Sequence, residues 1–219
     1  MPKSSRGRVA KLPEPPSPTA MRGVPPDAEV LPTGTRLYRI YFRGGRHPGG
    51  WNLFRGFGPL PSARFDHHTE PPGTKERAIL YAALWEDAVA TCVAEAFQEG
   101  RLLDTRLRDP QLAAFSLAED VPLLSLRGRW PTRAGASANI NSGPRSRCRR
   151  WSRAIYEAYP GVSGLLYASS MNGNRPAVAL YERAAHALPT APDFNRPLSD
   201  AALLLPLERI ASSLGYDLV

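Results

Sequence analysis

Arg39, Tyr81, Glu95 and Ser169 each stand inside or at the end of an apolar segment, where a polar side chain must meet either water or a ligand, and Arg64 stands in a loop between two such segments. Arg39 lies between Tyr38 and Ile40. A guanidinium there costs desolvation and side-chain entropy unless an anion answers it, so Arg39 reads as a phosphate or carboxylate clamp or as an edge-strand arginine facing water. Arg64 precedes Phe65 and Asp66 in a Gly/Pro-rich loop and taken alone is equally a solvated loop arginine. Tyr81 closes a strand-like run and is either a core tyrosine or a ring for a planar ligand group. Glu95 falls on the rim of a helix's apolar face, where a solvent-facing glutamate is the plain alternative. Ser169 opens the loop Ser169-Ser170-Met171-Asn172-Gly173-Asn174-Arg175 between the apolar runs Gly164–Ala168 and Pro176–Tyr181. That loop gathers hydroxyl, amide and guanidinium groups at a strand end, a place where polar ligands dock. No Gly-x-Ser-x-Gly elbow precedes Ser169 and the nearest histidine in sequence is His186, so it suits a hydrogen-bond donor better than a nucleophile. His67 and His68 beside Asp66 invite a metal, but adjacent histidines seldom fit one ion and no third ligand follows at helical spacing; no metal is assigned.

The elements that must position these groups follow from periodicity. Arg36–Phe42 and Ala78–Ala83 read as strands. Trp85, Ala88, Val89, Cys92, Val93, Ala96 and Phe97 recur at helical spacing, and Gly100 stops that helix. Between the first two strands, residues 43–73 form a long Gly/Pro-studded loop, a length more often functional than not. Short strands are expected around Leu102–Leu107 and Pro122–Leu126, with a two-turn helix over Pro110–Leu117 between them. A basic helix over roughly Pro144–Tyr159 buries Cys148, Trp151, Ile155 and Tyr159, and Pro206 and Gly215 bracket a closing helix. The alternation indicates a mixed α+β single domain over residues 31–219. Residues 1–30 carry seven prolines and almost no large apolar residues and read as a disordered tail.

A chain of 219 residues with 42% hydrophobic and 22% charged residues fits one soluble globular core. It has no run of about eighteen apolar residues for a membrane helix, and Met1–Met21 has no apolar block of a secretory signal. Two cysteines, Cys92 and Cys148, are too few for a disulfide framework, which places the chain in a reducing cytoplasm. The net charge of +8 permits polyanionic partners. Its densest cluster, Arg145, Arg147, Arg149, Arg150 and Arg153, reads first as a solvated helix face. Nucleic-acid contact lacks any accompanying helix-turn-helix, finger or RNP pattern, and an acidic protein partner is the other reading.

The order of the motifs carries more than any one of them. Leu37-Tyr38-Arg39, then Arg64-Phe65-Asp66, then Ile79-Leu80-Tyr81-Ala82-Ala83 resembles the opening of the RES-domain family. Ala90-Thr91-Cys92-Val93-Ala94-Glu95-Ala96-Phe97 resembles that family's "TALAEVF" helix, and Gly164-Leu165-Leu166-Tyr167-Ala168-Ser169 its "GLxYxS" strand, followed by Val178-Ala179-Leu180-Tyr181. The resemblance runs from about Arg36 to Arg183. It implies an ADP-ribosyltransferase-like fold and an NAD⁺-cleaving toxin of a toxin–antitoxin pair, with NAD⁺ as substrate rather than prosthetic group and inorganic phosphate, water or a protein side chain as acceptor. Arg39 and Arg64 would then grip the pyrophosphate, Tyr81 pack on the nicotinamide or its ribose, Glu95 face the ribose carbon, and Ser169 orient the ribose or amide. Asn172, Asn174 and Arg175 would line the rim. The implied partner is an antitoxin with a helix-turn-helix region. A protein-directed ADP-ribosyltransferase, or a non-catalytic basic protein that binds nucleic acid or a partner, are the alternatives.

Overall fold

Residues 10–219 are described by a computed structural model, and its topology follows from where apolar side chains alternate. The chain starts with a short helix α1 (Pro18–Met21) and strands β1 (Ala28–Leu31), β2 (Arg36–Phe42), β3 (Arg55–Gly58) and β4 (Gly73–Leu84). Helix α2 (Ala88–Ala96) follows, then β5 (Leu102–Leu103), β6 (Pro110–Ser116) and β7 (Val121–Ser125). Helices α3 (Trp130–Arg133) and α4 (Arg145–Ala158) lead to β8 (Gly164–Ala168), β9 (Pro176–Tyr181), β10 (Phe194–Pro197), α5 (Leu204–Leu214) and β11 (Asp217–Leu218).

One large mixed sheet runs β1-β7-β8-β9-β4-β2-β6-β10. Only β7 and β8 pair in parallel along it. Strand β4 serves two partners along one edge. Its end pairs with β2 through Leu84↔Leu37 and Ala83↔Tyr38, whereas Ile79, Thr74 and Gly73 pair with Arg55, Phe57 and Gly58 of β3. Strands β2 and β3 thus part from a common neighbour, and Ile40, Phe42 and Arg55 line the cavity that opens there. Trp151 and Ile155 of α4 cover one sheet face, against Ile79, Leu165 and Ala179. Leu37, Leu80, Phe115, Leu166 and Val178 pack on the other, while Val93 and Phe97 of α2 join Leu207 and Ala211 of α5 in a further cluster. Gly164 is fixed by backbone approach: a Cβ there would stand 2.6 Å from the Ala179 carbonyl oxygen.

Several sequence expectations need correction. Pro110–Ser116 is not a helix but a central strand between β2 and β10, buried on both faces. A short apolar run does not reveal its period, and pairing on both sides overrides the helix preference of Ala113 and Ala114. Of Leu102–Leu107 only Leu102 and Leu103 form a strand; beyond them Asp104 Oδ1 accepts the Arg106 and Leu107 amides and turns the chain. Helix α2 starts late because Trp85 and Asp87 adopt left-handed backbone conformations. Pro206 stands two residues inside α5, still within the turn whose amides have no helical partner, and Gly215 caps the other end at φ 67°.

The Pro-rich start is corrected as far as it is described; residues 1–9 lie outside the described residues. Residues 10–30 wrap α4. Leu12 and Met21 are buried in the main core, Pro13 O accepts from the Trp151 indole at 2.8 Å and Met21 O from the Tyr159 hydroxyl at 2.8 Å. Prolines at an exposed surface need no hydrogen-bonded partner strand, so two apolar anchors suffice to hold the segment. The basic cluster on α4 is likewise not a free solvated face. Glu14 accepts two bonds of 2.7 Å from Arg150 and lies 2.9 Å from Arg147, and Arg149 donates to the carbonyls of Leu60, Pro61 and Ala63. Met21→Ala is therefore expected to lower unfolding free energy by about 2–5 kcal/mol, the range for truncating a buried side chain, as read by urea denaturation; an unpacked tail would give no change.

Candidate active site

The cavity between β2, β3, β4 and α2 has a volume of about 430 Å³, within the range of small-molecule sites. Arg64, Tyr81 and Glu95 all line it, each delivered by a different element. Tyr81 rises from β4, and its hydroxyl donates to Asp66 Oδ1 at 3.0 Å while accepting the Phe65 amide at 3.0 Å. Its polar end is thus occupied and its ring is left to face the cavity. Asp66 has no exposure; the same Oδ1 pairs with Arg55 Nη2 at 2.6 Å and Oδ2 accepts the Leu60 amide at 2.8 Å. Arg64, two residues earlier, extends from this pinned loop and donates to Gly143 O at 2.6 Å and to Ser170 Oγ at 3.4 Å.

Glu95 stands on the last turn of α2. Its Oε1 accepts a 2.6 Å hydrogen bond from Ser169 Oγ, so the side chains at positions 95 and 169 meet across the end of β8. Burial raises the Glu95 pKa above the ordinary carboxylate value, while the Ser169 bond and the charges of Arg64 and Arg145 act in the opposite direction. Ser169 is fully buried, and its loop is closed by Ser169 N donating to Arg175 O and Asn174 N to Ser169 O. Glu95 follows Tyr81 by fourteen residues, and the left-handed residues before α2 absorb that spacing.

The remaining predicted groups separate. Asn172 reaches the cavity wall indirectly, donating to Thr91 Oγ1 at 3.0 Å. Arg175 pairs outward with Glu86 and Asp87, and Asn174 lines a different, polar groove with Asn141 and Ala168. Arg39 does not line the cavity. Strand alternation puts it on the side of Leu37 and Tyr41, with Ile40 and Phe42 toward the cavity. It is buried, donates to Leu53 O at 3.1 Å, and burial lowers its pKa to about 10.

Three cavity arginines, Arg145, Arg55 and Arg108, escaped the sequence reading as site residues. Arg145 opens α4, lines the cavity and donates to Gln98 at the end of α2; as the first helical residue of a basic run it could have been separated from its neighbours, which point elsewhere. Arg55 hides in a glycine-rich stretch, and nothing local marks it. His67 and His68 do not converge on an ion. His67 Nε2 meets Glu182 at 3.2 Å and His68 Nε2 meets Arg55 O at 3.2 Å, and burial lowers the pKa of both. Among the described residues, no three His, Cys, Asp or Glu side chains form a metal-holding group. Cys92 lines the cavity, but burial pushes its thiol up to about 12, which leaves it unreactive.

The raised Glu95 pKa has a consequence for stability. A carboxylate whose folded pKa exceeds its unfolded value stabilises the protein below the unfolded pKa and loses that contribution as pH rises through the folded one. Glu95→Gln keeps a carbonyl oxygen for Ser169 and removes the charge. Its melting temperature at pH 7 is expected to equal or exceed that of the parent chain, with the difference closing toward pH 4 in thermal scans.

A chain from the crystal structure of the M. tuberculosis MbcT–MbcA toxin–antitoxin complex shares this fold. The TM-score is 0.54, covering 80% of this chain and 90% of that one, at 16% sequence identity. No protein-family model and no curated protein matches the sequence. The chain is thus a mixed α+β domain with the fold found in that toxin–antitoxin complex.

Proposed function

We propose that the protein cleaves NAD⁺ at the nicotinamide–ribose bond and acts as the toxin of a toxin–antitoxin pair. The observation that carries this reading is Glu95, anchored by the Ser169 hydroxyl, lining a cavity that Arg64 and Arg145 also line. A carboxylate beside arginines suits a substrate with a pyrophosphate and a reacting carbon that turns positive. The fold shared with a chain of a toxin–antitoxin complex and the RES-like motif order point the same way.

In this reading Arg64 and Arg145 take the pyrophosphate, for which the planar guanidinium provides paired donors. Arg145 fills the role that the sequence had offered to Arg39. The bond between ribose C1′ and the nicotinamide nitrogen breaks, its electron pair leaves with nicotinamide, and an oxocarbenium-like ribose forms. Ionised Glu95 stabilises that charge from within a partly dry site. The Ser169 hydroxyl hydrogen is committed to Glu95 and its oxygen accepts the Met171 amide, so the buried Ser169 acts by fixing the carboxylate that faces the ribose. An acceptor, which is water, inorganic phosphate or a protein side chain, then adds at C1′ and loses a proton. The partner is an antitoxin with a helix-turn-helix region whose acidic segment covers the basic cleft, and the pair works in the cytoplasm, where NAD⁺ is available and both cysteines stay reduced. Direct nucleic-acid binding by this chain is disfavoured because Arg147, Arg149, Arg150 and Arg153 already have intramolecular partners.

The test is nicotinamide release by purified protein with and without inorganic phosphate. Glu95→Gln is expected to lower kcat by about 10²-fold or more, the scale of one stabilising group at the developing charge. Arg145→Ala is expected to raise KM about tenfold, the loss of one charge-assisted hydrogen bond. Undiminished turnover in Glu95→Gln would sink the assignment, and transfer of the ADP-ribosyl group to protein rather than to phosphate or water, with nicotinamide released in each case, would identify an ADP-ribosyltransferase.

The pH profile gives a second check. Glu95 must be ionised, and burial raises its pKa, so kcat/KM should fall on the acid side with a midpoint above about 4.3, the ordinary glutamate value. Bound NAD⁺ brings the nicotinamide cation beside Glu95 and favours its charged form, so the acid limb of kcat should lie below that of kcat/KM.

A further inference from the structure

The segment ahead of α1 touches α4 with a regularity that burial of its two apolar anchors does not require. Lys11 O accepts from Ser137 Oγ at 2.5 Å, Leu12 O from Arg147 Nη1 at 2.7 Å and Pro13 O from the Trp151 indole at 2.8 Å. Glu14 follows with two bonds of 2.7 Å from Arg150. Four successive residues are therefore held by the first half of α4 and the turn before it, and Pro13, Pro15 and Pro16 stiffen the strip. The Leu12 side chain, 4% exposed, closes on Gly143. A Cβ on that glycine would stand 2.9 Å from Leu12 Cδ2 and 2.7 Å from Asn139 O. Gly143 also carries the carbonyl that accepts from Arg64 at 2.6 Å, and Arg145 begins α4 two residues later. The other anchor lies at the far end of the helix. Met21 O accepts from the Tyr159 hydroxyl, and Arg22 donates to the Glu157 and Ala158 carbonyls.

We infer that residues 11–14 are a strap that positions the cavity's arginines, with Leu12 as the positioning residue. The inference rests on the NAD⁺ reading, in which Arg64 and Arg145 take the pyrophosphate. Leu12 does not line the cavity, so it acts through Gly143. The corner there depends on packing, because Pro144 at the start of α4 makes no side-chain cap bond. Truncating Leu12 leaves a void beside Gly143 into which the corner can relax. Both arginines then lose their aim together, since Arg64 is bonded to the Gly143 carbonyl and Arg145 follows it by two residues. Two guanidiniums that must meet one anion tolerate little displacement. Met21 is buried as well as Leu12, but at the end of α4 that has no such link. Two anchors of one strap thus predict different effects on binding.

Calorimetric titration with inorganic pyrophosphate and steady-state NAD⁺ kinetics test this, with Met21→Ala as the control. Leu12→Ala and Met21→Ala should both lower the urea midpoint. Only Leu12→Ala should weaken pyrophosphate binding, by about tenfold, the scale of one charge-assisted hydrogen bond. It should raise the KM for NAD⁺ by a similar factor and change kcat less. Leu12→Met, which conserves volume, should match the parent chain. Leu12→Val removes less of the contact and should show a smaller loss of affinity, which keeps the test open where Leu12→Ala does not fold. Pyrophosphate affinity unchanged in both truncations, an equal loss in Met21→Ala, or no pyrophosphate binding by the parent chain would overturn the strap. The two readings fail separately. Pyrophosphate binding that depends on Leu12, without NAD⁺ cleavage, overturns the enzyme and keeps the strap; NAD⁺ cleavage with affinity and KM indifferent to Leu12 does the reverse.

Discussion

A carboxylate without contact to water has to be matched atom by atom, and Asp66 places that demand at the centre of the fold. Its two oxygens bind Arg55, the Tyr81 hydroxyl and the Leu60 amide. Those partners belong to β3, to β4 and to the long loop between them, so one buried charge ties the loop to the sheet at the point where β2 and β3 part. The loop then has a fixed end from which Arg64 extends, and Arg64 in turn holds the Gly143 carbonyl just ahead of α4. Arg145 enters the cavity two residues later. Breaking such a buried pair strands an uncompensated charge, which is why the cavity's walls cannot shift independently of Asp66.

Glu95 shows the opposite economy. Burial works against its charge, and only Ser169, Arg64 and Arg145 oppose that effect. Two of these three helpers are groups that an anionic substrate would engage. On the proposed NAD⁺ reading, binding of the pyrophosphate would draw the arginines' field away from Glu95, and the substrate's own cationic ring would replace it. A carboxylate whose charge is disfavoured in the free protein and, on that reading, required at bond breaking would match the general observation that sites store instability for function. The left-handed residues Trp85 and Asp87 at the entry to α2 belong to the same pattern, because they set the turn on which Glu95 stands.

Much of this was legible in the chain, and the exceptions have physical causes. Strands β2, β8 and β9 and helix α4 announce themselves by period, and Tyr81 and Glu95 at element ends line one cavity with Arg64 from the loop. Arg39 shows the limit of that reasoning. Its type fitted a phosphate clamp, but a period of two decides which face it takes, and only the pairing of Tyr38 with Ala83 fixes that choice. Arg145 was overlooked for the converse reason: it stood among arginines with similar surroundings in sequence, and only the helix's position gives it a separate direction. Strand β6 was misread because its two neighbours are distant in the chain. Leu12 and Met21 were hidden by the prolines around them.

The positive charge of the molecule gains a specific meaning once the arginines are followed to their partners. Arg149 and Arg153 end on loop carbonyls, Arg147 and Arg150 on Glu14, Arg183 on carbonyls at the end of α4 and just beyond it. Arginine suits this work because one planar group can satisfy several carbonyls that irregular segments leave without strand or helix partners. Carbonyl oxygens bring no net charge, so these contacts order the chain without neutralising it. The outcome is a protein whose surplus charge is built into its own scaffold, and whose field converges where Arg55, Arg64 and Arg145 share one cavity. A cavity with low-dielectric walls concentrates such a field, so a long, irregular, arginine-stitched loop and a cleft lined by Arg55, Arg64 and Arg145 are two results of the same choice of residue.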